Sequence, residues 1–204
     1  KHLPSGRAYI SKGFLKEAKT CADFNVELFK DLIGDKVPLI GLEPSAILTF
    51  RDEYLRLASD REAAKSLSNN VFLIDEFIAQ EIDRGNISKS QFTDATTAIK
   101  LHAHCHQKAL SSVAATHKIL QLPINYTVTQ IPSGCCGMAG SFGYEKEHYE
   151  VSMQMGELTL FPAIRKTNAE VVLAANGTSC RHQIFDGTGR KAKHPITILR
   201  EALK

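Results

Sequence analysis

The sequence predicts an α/β protein with mostly parallel strands. Apolar runs of strand length recur along the chain, stretches with helical spacing separate them, and breaks rich in Gly, Asn or Asp fall between the two. Strands joined by connections long enough to hold a helix pair in parallel, because the chain must cross over before it returns to the sheet.

Within 11–32, Phe14, Leu15, Ala18, Ala22, Val26, Phe29 and Leu32 share one helical stripe, and Gly34-Asp35 ends it. Val37-Pro38-Leu39-Ile40-Gly41 reads as a short buried strand. Glu43-Pro44-Ser45 is a turn, with Ser45 placed to cap a helix running to Leu57. Further helices are expected over 61–67 and 71–83, the second ending at Arg84-Gly85-Asn86. The polar stretch 85–95 marks a lobe boundary, giving a first lobe over 1–90 and a second over 91–204. In the second lobe strands are expected at 98–103, 126–131 and 170–175. Helices are expected over 107–120, over 147–164 with Pro162 as a kink, in a short segment carrying Cys180 capped by Thr178, and over 196–203.

Composition narrows the function classes. Of 204 residues, 43% are hydrophobic and 23% charged, as in a folded globular chain rather than a disordered one. The net charge of +3 is small and the lysines are scattered without interleaved aromatics, which argues against nucleic acid as a partner. No apolar run has the length of a membrane span, and the start has no secretory pattern. Five cysteines, two of them adjacent, do not make a disulfide framework, so a reducing, cytoplasmic setting is expected, with any place at the inner membrane peripheral and held through partners. The opening Lys1-His2-Leu3, with no initiator methionine, is expected of a processed chain or an excised fragment.

The run Gly134-Cys135-Cys136-Gly137-Met138-Ala139-Gly140 carries the chemistry. Neighbouring cysteines rarely reach disulfide geometry, but two adjacent thiolates can face one metal. Cys105 falls beyond one expected strand, Cys135 and Cys136 beyond the next, and Cys180 beyond the last. Open parallel sheets gather functional residues beyond the carboxyl ends of their strands, so these segments converge on one edge. Soft thiolates suit an iron–sulfur centre or zinc, and a third reading makes the cysteines buried small apolar residues. Gly134, Gly137 and Gly140 are expected to offer backbone N–H groups to the centre and Ser141 a hydroxyl. His104 or His106 is expected to hydrogen-bond a thiolate or relay a proton, against the alternative of a helix cap. Arg181 and His182 add positive charge beside Cys180, or else make surface ion pairs. The loop lacks the Lys-Ser ending of a phosphate loop. Cys21, inside an expected helix, reads as structural. A faint repeat aligns 37–46 with 171–180 and puts Ala46 where the second lobe has Cys180.

Leu101-His102-Ala103-His104-Cys105-His106-Gln107-Lys108-Ala109-Leu110, the stretch 133–145 and Gly177-Thr178-Ser179-Cys180-Arg181-His182-Gln183 closely resemble the C-terminal cysteine-rich (CCG) region of large FAD-linked oxidases of the D-lactate dehydrogenase or glycolate oxidase type. The likeness continues through 147–149, 153–162, His194-Pro195, 10–15 and 41–54, and so covers essentially the whole chain. It implies two related Rossmann-like lobes, with Cys105, Cys135, Cys136 and Cys180 as ligands of a [4Fe–4S] cluster in the second. It also implies FAD and ferredoxin-like clusters in upstream domains of the same protein, an electron acceptor, and oxidation of a small 2-hydroxy acid such as D-lactate or glycolate. The stretch itself would bind no FAD and be inactive alone. Two positions depart from the pattern: Gln183 stands where some relatives have a second cysteine, and Ala46 where family members usually have one. A different class of function remains open, a metal-free or zinc-bearing module that docks a flavoprotein to a partner.

Overall fold

In the computed structural model, which describes residues 1–204, the chain divides into two units, Lys1–Ile74 and Asp75–Lys204. The expected class is borne out: short parallel sheets flanked by helices.

In the first unit, α1 (Arg7–Ser11) precedes α2 (Leu15–Phe29), which is the helix expected over 11–32, starting later because the chain turns at Gly13 with φ of +79°. β1 (Leu39–Gly41) leads into α3 (Pro44–Ile47), a 3-10 turn over Leu48–Phe50, α4 (Tyr54–Leu57) and α5 (Arg61–Ser68). The cap of α3 is Glu43 rather than Ser45, with Pro44 opening the helix. Residues Val71–Leu73, expected as helix, form β2, paired in parallel with β1 from Leu39↔Val71 to Gly41↔Leu73. A run of three apolar residues directly before a helix has no period of its own, so the strand merges with the helix on paper. Ala18, Ala22, Val26, Leu48, Tyr54, Ala64 and Leu67 fill this unit's core.

The second unit begins with α6 (Ile74–Asp83), whose Ala79 is buried among Phe92, Ile99, Leu101, Ile119 and Leu199, with Ile78 and Ile82 packed against them. β3 (Thr97–His102) is followed by α7 (Cys105–Leu110) and α8 (Ala114–Leu120), one expected helix broken where Ser111 adopts extended backbone. β4 (Tyr126–Gln130) runs into the cysteine loop, after which two 3-10 turns precede α9 (Tyr149–Glu157) and α10 (Leu160–Arg165). The interruption falls at Leu158–Thr159, before Pro162. β5 (Val172–Ala175), α11 (Thr178–Thr188), β6 (Ala192–Lys193) and α12 (Pro195–Glu201) complete the unit, β6 being too short to read from sequence. The cap of α11 is Gly177, and Thr178 is its first helical residue.

The sheet order is β4-β3-β5-β6, all parallel. One buried cluster, with Ile99, Leu101, Leu120 and Leu199, contains β3 and β5 residues; a second, with Leu173, Ala175, Phe161 and Ile164, contains Cys136 and Cys180. The carboxyl ends of β3, β4 and β5 point one way, and each opens directly into a cysteine-bearing segment.

Candidate metal centre

Cys105 is the first residue of α7, Cys135 and Cys136 lie in the loop after β4, and Cys180 is the third residue of α11. Parallel strands ending together bring these segments to one place. The side chains form a continuous chain of sulfur contacts, Cys105 to Cys135, Cys135 to Cys136, and Cys136 to Cys180. All are free thiols, grading from exposed at Cys105 to 3% exposed at Cys136 and 1% at Cys180.

The loop is shaped to surround sulfur with donors. Gly137 N–H donates to Cys135 Sγ at 3.3 Å, and Ala139 N–H also points at that sulfur. Met138 N–H serves Cys136, and His106 N–H serves Cys105. Such convergence requires left-handed backbone at Gly137 (φ +103°), Ala139 (φ +40°) and Gly140 (φ +73°). Lys108 Nζ donates to the carbonyls of Ser133 (2.9 Å) and Gly134 (3.0 Å) and so pins the loop's start. Ser141 precedes the 3-10 turn Phe142–Tyr144, and its carbonyl accepts from Tyr144 N–H.

Proton sharing sets the charges. The Cys105 thiol donating to Cys135, with the backbone N–H groups of Gly137 and Ala139, holds it below the ordinary thiol value. The Cys136 thiol does the same for Cys180, lowering it well below that value against its burial, with His102 and His104 assisting. Cys105 and Cys136, as donors to neighbouring thiolates, are raised. Cys135 and Cys180 are thus the sulfurs biased toward the thiolate, and the remaining protons would leave when a cation binds, as thiolate ligation requires.

His104 is buried and caps α7, its Nδ1 accepting from His106 N–H at 3.1 Å. The ring also fills the space beside Gly177, where an added Cβ would lie 2.3 Å from His104 Cδ2 and 3.2 Å from Cys180 Sγ. Arg181 donates to the carbonyls of Ala175 (2.9 Å) and Asn176 (2.6 Å) and to Thr178 Oγ1 (3.0 Å), closing the turn between β5 and α11. His182 Nδ1 pairs with Tyr144 Oη at 2.8 Å. Cys21 is buried in α2, its thiol raised by burial. Gln183 is buried and donates to Ser152 O (2.9 Å) and Ser152 Oγ (3.0 Å).

Sequence reasoning passed over His102. It is 1% exposed at the end of β3, and its ligand nitrogen, Cys136 Sγ and Cys180 Sγ all lie within 4.8 Å of one another. Its signal in the sequence is a histidine closing a strand, three positions before Cys105. The donor set fits a soft metal centre: clustered thiols, two of them biased toward the thiolate, ringed by N–H groups, with a buried imidazole alongside.

The first unit has the same local path without the chemistry. Ala46 is the third residue of α3 as Cys180 is of α11. Beside it lies a cavity of about 270 Å³ lined by Ile40, Ala46, Ile47, Phe29 and Phe50 among others.

Over nearly its whole length the chain is similar to components of known dehydrogenases. It is 29% identical over 199 residues to one component of the anaerobic glycerol-3-phosphate dehydrogenase of Escherichia coli (strain K12), covering 97% of this chain and 49% of that component. It is 32% identical over 206 residues to D-2-hydroxyglutarate dehydrogenase of the same strain, covering 98% of this chain and 19% of that enzyme. The chain is thus similar to a part of each of these dehydrogenases. The resemblance carried by its motifs is thereby borne out. It spans about half the length of the first relative and about a fifth of the second. A third relative, lactate utilization protein A 1 of Bacillus mycoides (strain KBAB4), is 24% identical over 212 residues, covering 98% of this chain and 81% of that protein. No protein-family model matches the chain, and no solved structure is significantly similar to it. No helix is long and apolar enough to cross a membrane.

Proposed function

We propose that this chain is the iron–sulfur electron-transfer region of an FAD-linked oxidoreductase acting on a small 2-hydroxy acid, with Cys105, Cys135, Cys136 and Cys180 as ligands of a [4Fe–4S] cluster. The observation that carries the reading is the contact chain of four free thiols at the carboxyl ends of three adjacent parallel strands. Two of the relatives are named for 2-hydroxyglutarate and for lactate, both 2-hydroxy acids. A cluster held here would accept and pass on single electrons.

The chain's own residues prepare that role. N–H groups of Gly137, Met138 and Ala139 stabilise negative charge on the sulfurs, and Lys108 fixes the loop that presents them. Ile131, Leu173, Ala175 and Met138 keep water from the inner sulfurs, which strengthens each of those hydrogen bonds. The exposed Cys105 is the edge at which an electron enters or leaves. FAD and the hydroxy acid belong to other regions of the intact enzyme.

The test is the iron, sulfide and zinc content of chain prepared without oxygen, with its visible spectrum, beside Cys136→Ser. About four irons and four sulfides per chain, lost in Cys136→Ser with the far-ultraviolet circular dichroism unchanged, is the expected result. Zinc alone would make the centre structural. No metal after reconstitution would leave a docking module.

A further inference from the structure

We infer that His102 is itself a ligand of this centre, its Nε2 bonding to an iron of the cluster as a fifth protein ligand beside the thiolates of Cys136 and Cys180; the inference rests on the iron–sulfur reading above. His102 Nδ1 lies 2.8 Å from Ser133 Oγ, and both residues are buried. Nε2 is buried as well and has no hydrogen-bond partner. A buried imidazole nitrogen left unpaired carries a desolvation cost that native proteins rarely leave uncompensated. Here the open nitrogen belongs to a ring within ligand reach of two buried sulfurs, and those sulfurs lie equally close to each other. An iron of a cluster held by both sulfurs supplies the missing partner.

The surroundings fix the ring as a ligand's surroundings do. Metal-bound histidines characteristically engage their second nitrogen with an oxygen, which sets the tautomer and aims the lone pair. Ser133 provides that oxygen. With Nδ1–H donating to Ser133 Oγ, the lone pair lies on Nε2. Ser133 is held in turn, its carbonyl by Lys108 Nζ at 2.9 Å and its N–H by Ile131 O at 2.8 Å. Parallel pairing of Leu101 with Ala174 and of His102 with Ala175 sets the end of β3 beside the strand that leads to Cys180. His104 differs in kind, since its Nδ1 caps α7.

Imidazole is a neutral donor, so the centre carries less negative charge, and has a higher reduction potential, than it would with a thiolate at the same position. Ligand choice at this one strand end thus tunes which electron acceptors the intact enzyme can serve.

The experiment uses the whole chain, reconstituted without oxygen with ferrous iron and sulfide, reduced, and read by pulsed electron paramagnetic resonance with ¹⁴N- or ¹⁵N-histidine. A directly bonded histidine nitrogen is expected in the wild type and in His104→Ala and His106→Ala, and is expected to vanish in His102→Ala. His102→Cys should keep its iron and show a lower midpoint potential, because a thiolate replaces a neutral donor. Should His102→Ala fail to fold, the wild-type signal and its persistence in the other two variants still decide the matter. Bound iron and sulfide without a bonded nitrogen would overturn the role of His102 and leave the cluster reading standing. A nitrogen signal lost in His104→Ala or His106→Ala would also overturn it. Neither iron nor sulfide on the wild type would overturn both.

Discussion

Gly177 and Gly137 show how closely single residues bound the centre. Gly177 has φ of −74°, which any residue adopts, so its requirement is purely one of space. A Cβ there meets the His104 ring at 2.3 Å and Cys180 Sγ at 3.2 Å. Gly177→Ala is therefore expected to fold, to lose about 1–3 kcal/mol in urea unfolding, and to bind less iron because His104 and Cys180 must separate. At Gly137 the left-handed φ of +103° joins a Cβ contact of 2.2 Å with Ser152 O, and backbone cannot yield as a side chain can. Gly137→Ala is expected to be the more damaging of the two, in folded yield as well as in iron content. If Gly177→Ala kept a full complement of iron, the site would be more yielding than this geometry allows.

At the scale of elements, a buried polar network ties the cysteine-bearing segments to α6. Thr116 Oγ1 donates to Asp75 Oδ2 at 2.5 Å, Asn176 Nδ2 donates to the same oxygen at 2.6 Å, and Gln107 Nε2 donates to Thr116 at 2.9 Å. One carboxylate thereby connects α6, α8, α7 and the turn before α11. Asp75→Ala strands the Asn176 donor and removes the acceptor of Thr116, so a loss of about 1–3 kcal/mol is expected from chemical denaturation. Burial raises the Asp75 carboxyl above its ordinary value. A carboxyl raised in the folded state contributes fully below its unfolded pKa, and that contribution fades as pH climbs through the raised value. Asp75→Asn removes the titration while keeping an acceptor oxygen. Its stability relative to wild type should therefore improve as pH climbs from the ordinary carboxyl value through the raised value of Asp75, and a flat difference would show that Asp75 is charged at no cost.

Elements also divide what was legible in the sequence from what was not. The apolar run 171–175 and the alternation of Ile99 and Leu101 with polar neighbours announce strands, and the cysteines that follow them are placed by strand direction alone. Val71–Leu73 was too short to separate from the helix behind it, and Ala192–Lys193 has no apolar run at all. The break between α7 and α8 depends on the extended backbone of Ser111, which helical spacing across 107–120 conceals. His102 was missed for another reason: a ligand contributed by a strand end is recognised by its lost hydrogen bond and by sulfurs distant in sequence.

At the scale of the whole chain, the two units differ in what ionisation and metal can do to them. In the first, burial pushes the Tyr54 hydroxyl up to about 12, and Asn25 Nδ2 donates to its oxygen at 2.9 Å. An acid raised in this way stabilises fully below its unfolded value near pH 10, and its contribution is lost as pH rises toward the folded value. Unfolding followed by hydrogen exchange should show Lys1–Ile74 weakening across that window, with the effect absent in Tyr54→Phe. Metal acts on the other unit. Every thiol of the centre, and His102, lies within Asp75–Lys204. Anything that binds only the folded form stabilises it in proportion to the logarithm of its concentration over Kd, about 2.7 kcal/mol at a hundredfold excess. Iron loading should accordingly add exchange protection to β3, β5 and α11, whose buried amides open only when that sheet does, and chelation should remove it. Protection gained equally at β1 and β2 would mean that metal reaches residues outside the centre, since Ala46 leaves the matching turn of the first unit without a thiolate.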